Sequence, residues 1–246
     1  MLQNEYLAKV REVIDRLEAS QAGPIDALAA AVADGLANGK AIFIAPLGHG
    51  NEGDLLHRAG GLMAANRFNY SFHVDQTIAA SLKDREREQP FEAELETARL
   101  AVCAGHLRRG DFLILGSVSG RSARWVACAI AAREIGVRVI AITSLEYTAK
   151  VESSYPTGEK LCEVADFVID NCVPYGDACM EVEGLAVRAF PLSGLTTTMA
   201  CWMLCAQVVE HLLAKGLRPH VYMSANRADG PDFNAREEAE YGNAGY

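Results

Sequence analysis

The chain has 246 residues, and a hydrophobic fraction of 50% supports a sizeable buried core. A net charge of −9 offers no basic face to nucleic acid, so an anionic ligand must be met locally, by helix N-termini and backbone amides. No apolar run approaches the roughly eighteen residues of a membrane span, and "MLQNEYLAKVREVIDRLEAS" lacks the pattern of a signal or transit peptide. The seven cysteines form no C-x-x-C pair and sit mostly in apolar segments, which reads as reduced core thiols in a cytoplasmic setting.

Helical periodicity covers 2–20 and 24–38, with a break at "AGP" where Pro24 is placed to start the second helix. "GKAIFIAP" reads as a buried strand ending about Pro46. A helix is expected from Asn51 to the Gly60–Gly61 stop, and "NYSFHV" (69–74) as a second strand. A charged stretch broken by Pro90 precedes another helix. "GDFLILG" (110–116) is a wholly apolar strand, "SARWVACAIAAREIG" a helix closed by Gly136, and "VRVIAIT" (137–143) the next strand. "EKLCEVADFVIDN" gives a helical turn and the strand "DFVID". "TTTMACWMLCAQVVEHLLAKG" is a long apolar helix capped by Gly216, followed by an irregular tail. Short apolar strands alternating with helices predict a doubly wound α/β fold around a parallel sheet. The expected organisation is one domain over 1–246: N-terminal helices to 39, an α/β core over 40–215 and a C-terminal extension over 216–246.

In such a sheet, ligands bind beyond the carboxyl ends of the strands. The turn after the first strand, "APLGHGNEGD", carries G-x-G-x-x-G at Gly48, Gly50 and Gly53, and Asp75 lies 22 residues further on as a ribose partner. Against a dinucleotide, Glu52 sets a carboxylate where a pyrophosphate would compete for the positive helix end. His49 also places a ring where backbone must approach phosphate. The turn after "DFLILG" is a second candidate. In "SVSGRS", Ser117, Ser119 and Ser122 surround Gly120 at a helix start, with Arg121 and Arg124 beside them. Three hydroxyls and freed N–H groups suit a phosphate; a single serine would need only to cap the helix. A third cluster, "SGLTTT" (Ser193, Thr196, Thr197, Thr198), is either a helix start or part of the site. Thr143 and Ser144 end another strand on the same rim.

"GDFLILGSVSGRSARWVACAIAAREIGVRVIAITS" followed by "EVADFVID" resembles the sugar isomerase (SIS) domain family over about 40–215. "GH…HRAGGL", "SSYPTGEKL", "VIDNCVPYGDA" and "VYMSAN" are similar to a subgroup of stand-alone members related to phosphoheptose isomerase. The resemblance implies a flavodoxin-like sheet, a phosphosugar ligand and no cofactor. It also implies a homodimer or homotetramer with sites between subunits. It sets phosphate on Ser117, Ser119, Gly120 and Ser122, and the sugar near Gly48, Gly50, Ser193 and Thr196.

Aldose–ketose isomerisation through an enediol needs a base and an acid. Glu52 is the expected base, with His49 or His57 as acid or ring-opener and Asp54 as a substitute. Their spacing matches no zinc signature. Phosphoheptose isomerases carry a Gln and a His on the last helix. Here Gln207, Glu210 and His211 stand at a different interval, so that pair does not carry over; Ser224, Asn226 or His220 are possible replacements. A non-catalytic phosphosugar sensor and an ether-cleaving lyase on a phosphorylated amino sugar stay open beside the isomerase.

Overall fold

Alternate residues of the central strands send apolar side chains to both faces, and this sets the layers. The computed structural model describes residues 1–86 and 92–246; Pro90 lies outside the described residues. The strands are β1 (Ile42–Ile44), β2 (Ala65–Arg67), β3 (Phe112–Gly116), β4 (Arg138–Thr143) and β5 (Phe167–Asp170). They pair in parallel in the order β2-β1-β3-β4-β5. The helices are α1 (Leu2–Ala37), α2 (Ala93–Ala104), α3 (Ala123–Glu134), the short α4 (Leu145–Thr148) and α5 (Leu161–Val164), α6 (Ser193–Ala214) and α7 (Gly230–Ala244). An antiparallel hairpin, β6 (Ala178–Met180) and β7 (Ala189–Pro191), precedes α6.

Phe112, Ile114, Ile140 and Ile142 pack with α1 and α6 on one face; Leu113, Leu115, Val139 and Ala141 pack with α2 and α3 on the other. No described helix is long and apolar enough to cross a membrane. All seven cysteines are free, and burial pushes the thiols of Cys128 and Cys205 up to about 12.

The strand order is flavodoxin-like, with its switch point between β1 and β3. Leu47, Leu55 and Leu56 draw the connection after β1 onto the α1/α6 face, whereas the connection after β3 enters α3 on the opposite face. The two turns part there and open a crevice.

Four expectations are corrected. The N-terminal helices are one helix, with Pro24 inside α1. Pro24 lies on the exposed face, while Val13, Leu17, Ile25, Leu28, Val32 and Leu36 form one buried stripe across it. Each such side chain contributes roughly 1.5–3 kcal/mol on burial, and the six together outweigh a proline cost of about 3 kcal/mol. After Asn51 only a 3-10 turn, Glu52–Asp54, forms. His57 and Gly60 take left-handed φ of 52° and 80°, and Gly60, Gly61 and Met63 bond instead to Tyr222 and His220. The second strand is Ala65–Arg67, not 69–74: Tyr70 leaves the sheet to pack on Trp125, and residues 71–79 are exposed. The tail carries α7, started by Asp229-Gly230-Pro231 and ended by left-handed Gly245.

Replacing Pro24 restores a helical N–H in mid-helix. Pro24→Ala is expected to stabilise the protein by about 2 kcal/mol, read as a higher denaturant midpoint. An unchanged or lower midpoint would mean that the backbone at 24 is not helical in solution.

Candidate functional site

The crevice is a cavity of about 420 Å³ at the switch point, bounded by the turns after β1 and β3, by Tyr147 and by the β6–β7 hairpin. Its floor is the β3–α3 loop, whose carbonyls all turn into the protein. Gly120 N–H bonds to Ser117 O (3.0 Å) and Ser144 N–H to Val118 O (2.9 Å). Thr148 Oγ1 donates to Ser119 O (3.1 Å), Leu161 N–H to Gly120 O (2.8 Å) and Ser154 N–H to Arg121 O (2.9 Å). Among the described residues, the N–H groups of Val118, Ser119, Ser122 and Ala123 have no acceptor, and neither do the half-buried hydroxyls of Ser117, Ser119 and Ser122. The last two of these amides begin α3, so the helix dipole adds to them. The loop presents donors to the cavity and keeps acceptors away. That donor pattern is one that suits an anion.

The left-handed Gly120 (φ 65°) makes this arrangement possible, and a Cβ there would stand 2.8 Å from Thr148 Oγ1. Gly116 meets the chain after β1 as closely: its Cβ would lie 2.6 Å from Leu47 Cα.

Opposite the cradle, His49 stands on the glycine turn, its side chain 71% exposed. Its Nδ1 lies 3.2 Å from Ser193 Oγ and 3.4 Å from Asp177 Oδ2. Ser193 Oγ donates to that same carboxylate oxygen at 2.6 Å. With its hydrogen directed at Asp177, Ser193 offers His49 only a lone pair. Both neighbours of Nδ1 are therefore acceptors, so in the neutral ring Nδ1 carries the proton and Nε2 has the free lone pair. Asp177 itself is buried and fixed by the N–H groups of Leu192 (3.1 Å) and Ser193 (2.8 Å) at the start of α6. A carboxylate gains there from the helix dipole as well as from the two bonds.

Of the expected residues, Gly48, His49, Ser117, Ser119 and Ser122 line the cavity, and Gly120 shapes its floor. Gly50 faces α6, where a Cβ would meet Thr197 Cγ2 at 2.6 Å. Ser193 is buried behind His49; Thr196 bonds to Leu192 O, and Thr198 accepts from Asn51 N–H. The hydroxyl cluster thus docks the glycine turn on α6. Thr143 and Ser144 brace the serine loop from below.

Glu52 is half-buried in the 3-10 turn, outside the cavity lining, and Asp54 pairs with Arg58. His57 is exposed, 2.8 Å from Tyr222 Oη. Arg121 bonds to Ser154. Arg124 is drawn off between the rings of Tyr70 and Trp125 and donates to Tyr70 O. Asp75 lies in the exposed excursion, and with no α-helix at the glycine turn a pyrophosphate would find no helix N-terminus there. Gln207 bonds to Glu210, His211 to Asp26, and Ser224 and Asn226 bond to each other; none of these lines the cavity. His220 bonds to Glu237. Burial raises that carboxyl's pKa, but bonds from His220 and Arg218 outweigh burial and leave it below the ordinary range. His220, Glu237 and Glu240 are close enough to hold a metal, but Arg218 occupies both carboxylates.

The sequence reading missed Asp177, Trp125 and Tyr147. Asp177 sits in the quoted "VIDNCVPYGDA" at a left-handed φ of 64°, a conformation that Asp tolerates better than most residues. That turn was the available signal.

Residues 5–144 match the SIS domain. The chain belongs to the SIS domain family. A UPF0309 protein of Caldanaerobacter subterraneus subsp. tengcongensis is 31% identical over 241 residues, covering 96% of either chain. The phosphoheptose isomerase structure from Neisseria gonorrhoeae superposes with a TM-score of 0.51 at 17% identity, over 86% of this chain and 98% of that one. The Francisella tularensis phosphoheptose isomerase gives 0.50 at 14%, over 84% and 96%. At such identities these two likenesses show the fold. The SIS match spans the glycine turn and the serine loop and ends at Ser144, before Asp177 and Ser193.

A side chain at Gly120 strains the backbone and strikes the Thr143–Thr148 brace. Gly120→Ala is expected to cost about 1–3 kcal/mol and to speed amide exchange across 117–123. Protection left at the wild-type level would show that the brace does not hold the loop.

Proposed function

We propose that this SIS domain binds a phosphosugar and isomerises it between aldose and ketose forms. The observation that carries the reading is the β3–α3 loop, with its carbonyls turned inward, facing a histidine across one cavity. Phosphate is bound by the hydroxyls of Ser117, Ser119 and Ser122 and by the amides at the start of α3. Trp125 and Tyr147 offer apolar walls to the sugar's C–H faces.

Proton transfer is assigned to His49, because Glu52 and His57 lie outside the lining. Nε2 takes the proton from the carbon beside the carbonyl, leaving an enediolate; a proton passes by way of solvent from the neighbouring hydroxyl to the former carbonyl oxygen, and Nε2 returns its own to the former carbonyl carbon. Asp177 and Ser193 hold Nδ1, and the carboxylate stabilises the imidazolium while it holds the proton.

Solvent exchanges with that imidazolium proton, so turnover in D₂O leaves deuterium on carbon. Proton NMR with a panel of aldose and ketose phosphates is expected to show loss of the proton next to the carbonyl. His49→Gln should slow this by 10²-fold or more, the usual scale for a positioned acid–base group, with the ligand still bound. Binding without exchange would replace the isomerase by a sensor, and release of an acid product by a lyase.

A further inference from the structure

A site tells phosphate from other tetrahedral anions by one of two devices. A cation beside the ligand rewards the second negative charge, or an acceptor takes up the proton that a phosphate ester still carries below about pH 6. Among the described residues the cavity has neither. No Lys or Arg lines it. Arg121 Nε is turned to Ser154 Oγ (3.1 Å), Arg124 lies between two rings, and Lys160 Nζ donates to Thr148 O (2.8 Å). All six carbonyls of 117–122 already hold a donor, that of Ser122 taking the N–H groups of Trp125 and Val126 inside α3. Both oxygens of Asp177 are engaged as well, one by the amides of Leu192 and Ser193 and the other by Ser193 Oγ. The serine hydroxyls of the loop accept a proton only by aiming their own hydrogens elsewhere, and no loop carbonyl is free to receive them.

We propose that the serine loop takes the sulfate ester of a sugar as a second class of ligand beside the phosphate ester. The inference rests on the phosphate reading of the loop and extends it. A sulfate ester presents the same three terminal oxygens on a tetrahedral centre, all of them acceptors, with one charge and no proton near neutral pH. The amides of Val118, Ser119, Ser122 and Ala123, the three hydroxyls and the dipole of α3 serve such oxygens whatever atom carries them. With no cation in the lining, the second charge of a phosphate dianion gains little over the single charge of a sulfate. The phosphate monoanion is the poorer guest. Its P–O–H brings a donor to a wall of donors, and a donor left unpaired is costly. The loop thus selects for the absence of a proton, not for phosphorus.

Methyl phosphate and methyl sulfate test this with the sugar left out, each titrated into ¹⁵N-labelled protein while the amides of Val118, Ser119, Ser122 and Ala123 are followed. At pH 7 methyl sulfate is expected to shift the same amides, with an affinity within about tenfold of methyl phosphate. From pH 7 to pH 5 the affinity for methyl phosphate should fall about tenfold with its dianion, while that for methyl sulfate holds. His49, Asp177 and Tyr147 are the titratable side chains of the lining, and Arg121, Arg124 and Lys160 are the cations behind it. Repeating the titrations in His49→Gln takes the histidine out of the comparison, and the same fall is expected there. Methyl phosphate binding with methyl sulfate silent in the loop would overturn the proposal and leave the phosphate reading standing. So would an affinity for methyl phosphate that does not fall toward pH 5 in His49→Gln. If neither ester moves these amides, the phosphate reading falls and the proposal with it.

Discussion

The site depends on where the carbonyls of the β3–α3 loop go. A loop of six residues carries as many acceptors as donors, and it becomes selective for an anion only if the acceptors are occupied elsewhere. Here Ser144, Thr148, Ser154 and Leu161 take up the carbonyls of Val118, Ser119, Arg121 and Gly120. These partners come from three segments that follow β4, so the cradle is fixed by the fold as well as by Gly120 within the loop. Pre-set donors need no reorganisation when a ligand arrives. For a protein of net charge −9, this concentrates positive potential at one place.

Sheet order then brings His49 to that place. Because the connections after β1 and β3 pack on opposite faces, a gap opens between them at the strand ends, with His49 on one lip and the serines on the other. The third side is closed by the turn before β6. Its Asp177 reaches the first amides of α6 and, through the same carboxylate, His49. One buried group thus caps a 22-residue helix and orients a histidine. Gly116 meets the Leu47 backbone and Gly50 the Thr197 side chain too closely for a Cβ, which gives these glycines a packing role of their own.

Much of this was legible in the sequence, in unequal parts. β3, α3 and β4 were readable because each is strongly apolar and starts or ends at a Gly (110, 116, 120 or 136), and β5 because Phe167-Val168-Ile169 is an apolar run set between Asp166 and Asp170. The serine loop was readable because hydroxyls flanking a glycine between strand and helix have few other uses. Pro24 misled because tertiary burial along α1 overrides a local breaker. The helix expected after Asn51 failed because its residues bond to Tyr222 and His220, partners remote in sequence. Asp177 was hard to single out for a similar reason. Its role rests on His49 and Ser193, 128 and 16 positions away, and on a left-handed turn that periodicity does not show. Arg124 marks the opposite error: a cation placed beside the loop by sequence and drawn off by two aromatic rings in space.

The most direct test of the central claim is to map the amides of ¹⁵N-labelled protein by NMR during titration with pentose, hexose and heptose phosphates. The cradle predicts saturable shifts at Val118, Ser119, Ser122 and Ala123 with at least one of them, and none with the unphosphorylated sugar. Saturable shifts confined to other parts of the molecule, or no response in this loop to any phosphate, would contradict it.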